Sequence, residues 1–188
     1  MRLQNGIGNQ TSDIATAPAG RFFSNTTPVS TMGYCKIFEC HCSMPYPEDG
    51  VFQFYRDIAI PSIERGDEWH WTIRLKGTPD LPIGVISLHR ISVDNRGYWL
   101  GIPWQGRGLM TEAVAAVNDY WFDVLGFQVL RAPKAIANES SRRISIKTGM
   151  RMIGLEERDF VSGRLMAEIW EINAEEWRQA RKLLISGF

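Results

Sequence analysis

Residues Trp104-Gln105-Gly106-Arg107-Gly108-Leu109-Met110-Thr111-Glu112-Ala113 constrain this chain more than any other stretch. The apolar run Tyr98-Trp99-Leu100-Gly101-Ile102 leads into them and an apolar-periodic segment follows. That order predicts a strand, a glycine turn and a helix. A helix entered this way opens with backbone N–H groups that no earlier carbonyl can accept, at the positive end of its macrodipole. The result is an anion site, suited above all to phosphate. Gly106 and Gly108 allow positive φ, and without Cβ atoms they let a ligand approach the main chain closely. A plain glycine turn is the bland reading of the same residues.

Two phosphate motifs fail on residue type. A P-loop needs Lys-Ser/Thr after its second glycine, where this chain has Leu109-Met110. A dinucleotide fingerprint needs a third glycine for close packing, where Thr111 stands. The spacing Gln105-x-x-Gly108-x-Met110 instead resembles the Q/R-x-x-G-x-G/A pyrophosphate loop of the GNAT N-acetyltransferases, which bind acetyl-CoA. Met110 replaces the usual small residue. Downstream, Asn138-Glu139-Ser140-Ser141-Arg142-Arg143-Ile144-Ser145-Ile146-Lys147-Thr148-Gly149-Met150 resembles the N-x-x-S-x-R-x-x-x-K-x-G-F signature of the RimJ/RimL-like ribosomal-protein-alanine branch. Asn138, Ser141, Arg143, Lys147 and Gly149 match, and Met150 replaces Phe. Physically this second stretch reads as a short helix, capped by Asn138 or Ser140 and closed by Gly149 in the left-handed conformation. The resemblance covers about Ile83 to Trp177.

The resemblance implies a single α+β (α/β) domain. Its central mixed, mostly antiparallel sheet is splayed at the acetyl-CoA site and flanked by helices. It also implies a division of labour. Backbone groups at Leu100 and Ile102 bind the pantetheine arm like an added strand. Backbone N–H groups across Gln105, Gly106, Arg107, Gly108, Leu109, Met110 and Thr111 hold the pyrophosphate. Asn138 bonds the pantetheine, and Ser141 sits near the sulfur as proton donor. Arg143 or Lys147 offers charge to the phosphate end of CoA, or else lies on a solvated helix face. Members of the family usually attack the thioester directly, so no cysteine nucleophile is required.

The proton acceptor is less sharply marked. A protein N-terminal amine, with a pKa of about 7.7–8, needs far less help than a lysine near about 10.4. Glu168, in the alternating run from Arg164 to Glu171, approximates the acidic residue many relatives place there, and it should share a sheet face with Trp170. Glu171 falls on the other face. His89, at the end of a predicted strand, and His70 are rivals. Glu112 serves the helix N-terminus better than it serves catalysis. The acceptor is a primary amine: a protein N-terminus, or a small molecule such as a polyamine, amino acid or antibiotic. A non-catalytic acyl-CoA-binding module is the alternative, because fold and loop do not specify the acceptor.

The rest of the chain bounds this reading. With 188 residues it is long enough for one well-buried core. The 21 basic and 21 acidic side chains balance, which gives no footprint for nucleic acid or an anionic membrane surface. No apolar run approaches the roughly 18 residues of a membrane span, and no secretory signal is evident, so the expected location is cytoplasmic. A homodimer is one assembly open to such a chain. Cys35, Cys40 and Cys42 cluster around His41, but Cys-x4-Cys-x-Cys is not a usual zinc spacing, so reduced thiols and no metal are expected.

Element by element, residues 1–33 are polar and aperiodic and read as disordered or atypical, with the acetyltransferase domain over 34–188. Relatives open with a strand beginning Arg-Leu, which Arg2-Leu3 resembles. Tyr34 to Cys42 supplies that first strand, or the strand is altered or missing. Glu48 to Arg65 has helical spacing broken near Pro61. Strands are predicted at Trp69–Leu75 and Ile83–Leu88, joined by a loop over Lys76–Asp80. Asp94–Gly97 is a turn before the strand Tyr98–Ile102. A helix over Thr111–Leu125 turns Val114, Val117, Trp121 and Val124 inward and ends at Gly126. Phe127–Ala137 is a strand and Asn138–Thr148 the short helix. Two more strands, Arg151–Leu155 and Arg164–Ile172, flank a turn near Ser162-Gly163. Asn173 to Glu176 reads as a capping box opening a last helix to about Leu184. Most of the seven tryptophans belong to the core or the sheet, and Trp104 beside the loop is the one placed to line a ligand.

Overall fold

The computed structural model describes residues 2–4, 11–13, 22–24, 53, 55–90, 93–160 and 163–186. It forms two compact units, Met1–Arg90 with Tyr98–Pro103, and Ile91–Gly97 with Trp104–Phe188.

In the first unit β1 (Arg2–Gln4) pairs antiparallel with β2 (Thr11–Asp13). A second sheet runs in the order β3 (Phe22–Ser24), β4 (Glu68–Leu75), β5 (Thr78–His89) and β6 (Arg96–Leu100), with Tyr98–Leu100 of β6 in this unit. The period of two decides which residues are inside. Trp71 lies opposite Ile86 in the β4–β5 register, and Trp71, Ile73, Ile83, Ile86 and Leu88 are buried. Each fully buried side chain of this kind contributes about 1.5–3 kcal/mol. The intervening positions put Glu68 opposite His89 and His70 opposite Ser87 on the other face. At Gly84 a Cβ would lie 2.5 Å from the Trp99 carbonyl oxygen, so only glycine permits β6 to come this close. The Gly101 N–H donates to the Ile83 carbonyl at 2.9 Å.

Of residues 1–33 the structure describes three short strands. Several expectations need correction here. Pro61 does not break its helix. The chain stays helical from the π-turn Tyr55–Ala59 into α1 (Ile60–Glu64), and Pro61 stands where the α-helical turn begins, its fixed φ matching the helix. β5 resumes at Thr78, so the loop after β4 is only Lys76-Gly77. The turn before β6 is likewise shorter, because Arg96 and Gly97 already belong to the strand, and Ile102 opens a 3-10 turn, Ile102–Trp104, instead of ending that strand. Cys35, His41, Cys40 and Cys42, the candidate strand 34–42, and 48–52 of the predicted helix lie outside the described residues.

The second unit holds α2 (Leu109–Asp119), β7 (Val129–Ala135), α3 (Glu139–Lys147), β8 (Arg151–Phe160), β9 (Gly163–Asn173) and α4 (Ala174–Ser186). Its antiparallel sheet has the order β7-β9-β8, so β9 is hydrogen-bonded on both sides. Phe160 pairs with Gly163 where the hairpin closes, and β8 runs longer than its apolar start suggests. Val114, Val117 and Trp121 of the α2 segment are buried as expected. Val124 is not. A π-turn over Tyr120–Val124 rotates the face, leaving Val124 exposed before Gly126 ends the segment at φ 74°. The capping box forms. Asn173 Oδ1 accepts from the Glu176 N–H at 2.9 Å, and a Glu176 carboxylate oxygen accepts from the Asn173 N–H at 2.8 Å. Among the described residues, no helix is long and apolar enough to cross a membrane, and no group of three His, Cys, Asp or Glu is placed to hold a metal.

Candidate active site

The glycine loop is built as its residues require. Gly106 and Gly108 take φ of 73° and 75°, and Gly108 is the N-cap of α2. Gln105, Gly106, Arg107 and Gly108 are exposed, while Leu109 and Met110 turn their side chains into the core. The departure at Met110 is thereby harmless to the loop, because it presents backbone outward and hides its side chain. The first helical bond runs from the Glu112 N–H to the Gly108 carbonyl, and no side chain caps the helix. The N–H groups of Leu109, Met110 and Thr111 stand in the first turn, where no intrahelical acceptor exists. A Cβ built on either glycine meets nothing within 4 Å. Oriented donors, a helix dipole and open space together suit a phosphate.

The second motif sits in the same unit. Asn138, not Ser140, caps α3: its Oδ1 accepts from the Ser141 N–H at 3.1 Å. Ser141 is buried. Thr148 ends the helix through its hydroxyl, which donates to the Ile144 and Ser145 carbonyls, and Gly149 follows at φ 77°. Arg143 pairs with Glu139 one turn earlier at 3.1 Å on an exposed surface, where such a pair contributes a few tenths of a kcal/mol, of order ~0.3. Lys147 is exposed as well.

Glu168 and Trp170 do share a face, and more is attached to it than the sequence indicates. The Arg142 guanidinium donates from Nε to Glu168 Oε2 at 2.7 Å and from Nη2 to Oε1 at 2.6 Å, and the Trp170 indole N–H donates to Oε2 at 3.0 Å. The hydrogen bond from Arg142 leads in holding the Glu168 carboxyl below the usual carboxylate range, against the opposing effect of burial. Glu171 on the other face is bonded by Arg131 and Arg151. Lys134 of β7 lies at the register position opposite Glu168 and is buried, and desolvation pushes its ammonium down to about 8. Arg142 and Lys134 are functional candidates that sequence reasoning missed. Alternation marked Glu168, but its partner comes from another element 26 residues away.

Among the described residues β6 is the last strand of its sheet, with Leu100 buried and Ile102 exposed. On the polar face of β4–β5, His89 Nε2 is hydrogen-bonded to Ser87 Oγ at 2.9 Å, and its Nδ1 lies 3.4 Å from a Glu68 oxygen. The other Glu68 oxygen is bonded to His70 Nε2 at 2.8 Å. The two rings meet edge to face at 5.8 Å. Burial lowers the proton affinity of His70 below that of an ordinary imidazole, although Glu68 opposes this.

Comparison with known proteins bears on these features. Residues 11–151 match the family model described as Acetyltransferase (GNAT) domain. Bacillus subtilis YdaF, which bears the name of a ribosomal N-acetyltransferase, is 33% identical over 70 residues, covering 35% of this chain and 38% of YdaF. YjcK of the same organism, an N-acetyltransferase by name, is 31% identical over 102 residues, covering 52% of this chain and 56% of YjcK. The chain thus matches from about a third to just over half the length of these relatives. Among solved structures, Mycobacterium smegmatis RimJ in complex with CoA-disulfide superimposes with a TM-score of 0.70 at 20% identity, over 84% of either chain. Spermidine N-acetyltransferase from Vibrio cholerae in complex with CoA and spermine gives 0.69 at 15%, over 84% of this chain and 98% of that one. At such identities these likenesses establish the fold.

Proposed function

The chain belongs to the GNAT acetyltransferase family, and on that premise we propose that it transfers an acetyl group from acetyl-CoA to a primary amine, a protein N-terminal α-amine in the first instance. The observation that carries this is the uncapped start of α2, where Gly106 and Gly108 face open space in left-handed backbone. The backbone N–H groups from Gln105 to Thr111 hold the pyrophosphate there, and the exposed Arg107 stands beside them. The strand β6 receives the pantetheine arm at Leu100 and Ile102 as an added strand. Asn138 bonds that arm through the atoms its cap leaves over.

The amine nitrogen attacks the thioester carbonyl carbon, the carbon–sulfur bond breaks, and the amide forms. Two proton transfers complete the balance. Ser141, at the start of α3, gives a proton to the departing thiolate and is reprotonated from solvent. The attacking amine loses one. Glu168 is poorly suited to take it, because both of its oxygens already accept hydrogen bonds and its proton affinity is lowered. The role falls instead to His89, a half-buried imidazole with Glu68 beside one ring nitrogen and the Ser87 hydroxyl beside the other.

The protein N-terminus is preferred over a polyamine on charge. A polyamine is drawn by unneutralised carboxylates, whereas Glu168, on the face of β9 that meets α3, is held by Arg142. The test is an acetyl-CoA assay that reads thiol release over peptides of differing N-terminal residue, polyamines and amino acids. Peptide turnover with kcat/KM well above that for spermidine is expected. Preference for spermidine would overturn the acceptor assignment, and no turnover with any amine would favour a non-catalytic acyl-CoA-binding module.

A further inference from the structure

We infer that Arg142 and Glu168 form a clamp that positions the first turn of α3, and with it Asn138 and Ser141, so that Glu168 acts as a positioning residue and not as the proton acceptor. The inference rests on the proposed function to the extent that this turn handles the thioester.

Three observations carry it. The first is the geometry of the bond itself: a guanidinium fork meets a carboxylate through two short hydrogen bonds, an arrangement that fixes direction as well as distance. The second is the anchor. Glu168 lies on β9, the strand paired on both sides, with Lys134 of β7 and Leu155 of β8 as its register partners. The Trp170 indole N–H holds the same carboxylate from two residues along that strand. The third is the helix. α3 has nine residues, too few to be stable by propensity alone, so its place is set by what tethers it. Its C-terminal end is packed tightly, since a Cβ on Gly149 would come within 2.6 Å of the Ala180 Cβ of α4. Its N-terminal turn is reached by Arg142, the residue that directly follows Ser141.

A carboxylate engaged in this way is poorly placed to accept a proton from substrate, because protonation would require the fork to open. It is well placed to keep Ser141 from drifting. Misplacing a reacting group by about 1 Å can reduce rate by about 100-fold, which sets the effect to look for.

The experiment compares Arg142→Ala, Glu168→Gln, the double variant and the charge swap Arg142→Glu/Glu168→Arg. It measures kcat, the calorimetric Kd for acetyl-CoA, and the pH profile. The expected result is a fall in kcat of about 10- to 100-fold in each single variant, with Kd changed less than about threefold. The double variant should be no slower than the worse single one. The charge swap should recover part of the rate, and the shape of the pH profile should remain that of the wild type. Loss of a pH limb in Glu168→Gln while Arg142→Ala keeps its rate would make Glu168 the base and overturn the inference. Unchanged kcat in both single variants, or additive losses in the double, would overturn it equally.

Arg142→Lys and Glu168→Asp are milder variants that keep both charges but lose the fork, and they should lie between wild type and the larger changes. Amide hydrogen exchange in the first turn of α3 provides a readout independent of turnover. Faster exchange in Arg142→Ala and Arg142→Lys is expected, and unchanged exchange would remove the clamp. A wild-type protein that turns over no amine would defeat the proposed function, and the exchange measurement would still decide the clamp.

Discussion

Replacing Lys134 by methionine should stabilise this protein at neutral pH. Lys134 is buried on β7, and desolvation lowers its ammonium from the usual 10.5 to about 8, assisted by the Arg96 charge and opposed by Asp94. The unfolded chain keeps the higher value. Between about pH 8 and 10.5 the unfolded state therefore holds a proton that the folded state has released, and stability rises with pH across that window. Below about 8 both states are protonated, and the full penalty for burying the charge is present. Lowering the ammonium from 10.5 to about 8 corresponds to a penalty of about 3 kcal/mol. Methionine keeps most of the apolar stem and carries no charge. Lys134→Met should accordingly gain up to about 3 kcal/mol at pH 7, and the gain should shrink toward zero by about pH 10.5. Urea unfolding of both proteins at pH 7, 8.5 and 10 reads this directly, since other titrations cancel in the difference. A difference that does not vary with pH, or a variant less stable at pH 7, would refute the reasoning.

Three further outcomes are expected. Ser141→Ala should lower kcat by about 10²–10⁴-fold with acetyl-CoA affinity nearly intact, as steady-state kinetics and calorimetry will register. His89→Gln should lower kcat/KM by removing the proton acceptor; an unaltered kcat/KM would remove His89 from the reaction. Gly84→Ala should destabilise by about 1–3 kcal/mol in urea unfolding, because its Cβ would lie 2.5 Å from the Trp99 carbonyl oxygen and β6 would have to move.

Local chemistry was readable in the residues, and distant pairing was not. The positive φ at Gly106, Gly108, Gly126 and Gly149, the Asn138 cap and the Asn173–Glu176 box each depend on neighbours within a turn, and each appears where the sequence places it. The β4–β5 alternation was equally plain, because a period of two needs only one strand to be seen. Val124 was misplaced because a π-turn shifts the helical face without a sequence mark. Arg142-Arg143 shows the limit most clearly. Two adjacent arginines look alike in sequence, but helix geometry sends Arg142 to Glu168 and leaves Arg143 on the surface with Glu139. Lys134 reads as an ordinary charged residue in a strand, and only the packed structure shows that it is buried.

The central claim is that the start of α2 binds the pyrophosphate of acetyl-CoA, and calorimetric titration of CoA into wild type and Gly108→Glu tests it most directly. The new side chain projects into the open space before the helix, where it sets bulk and negative charge against the phosphates, and the left-handed backbone at φ 75° adds about 1–2 kcal/mol of strain. Saturable one-to-one binding to wild type, abolished in a folded Gly108→Glu protein, is the predicted result. Equal affinity in the two proteins would contradict the account.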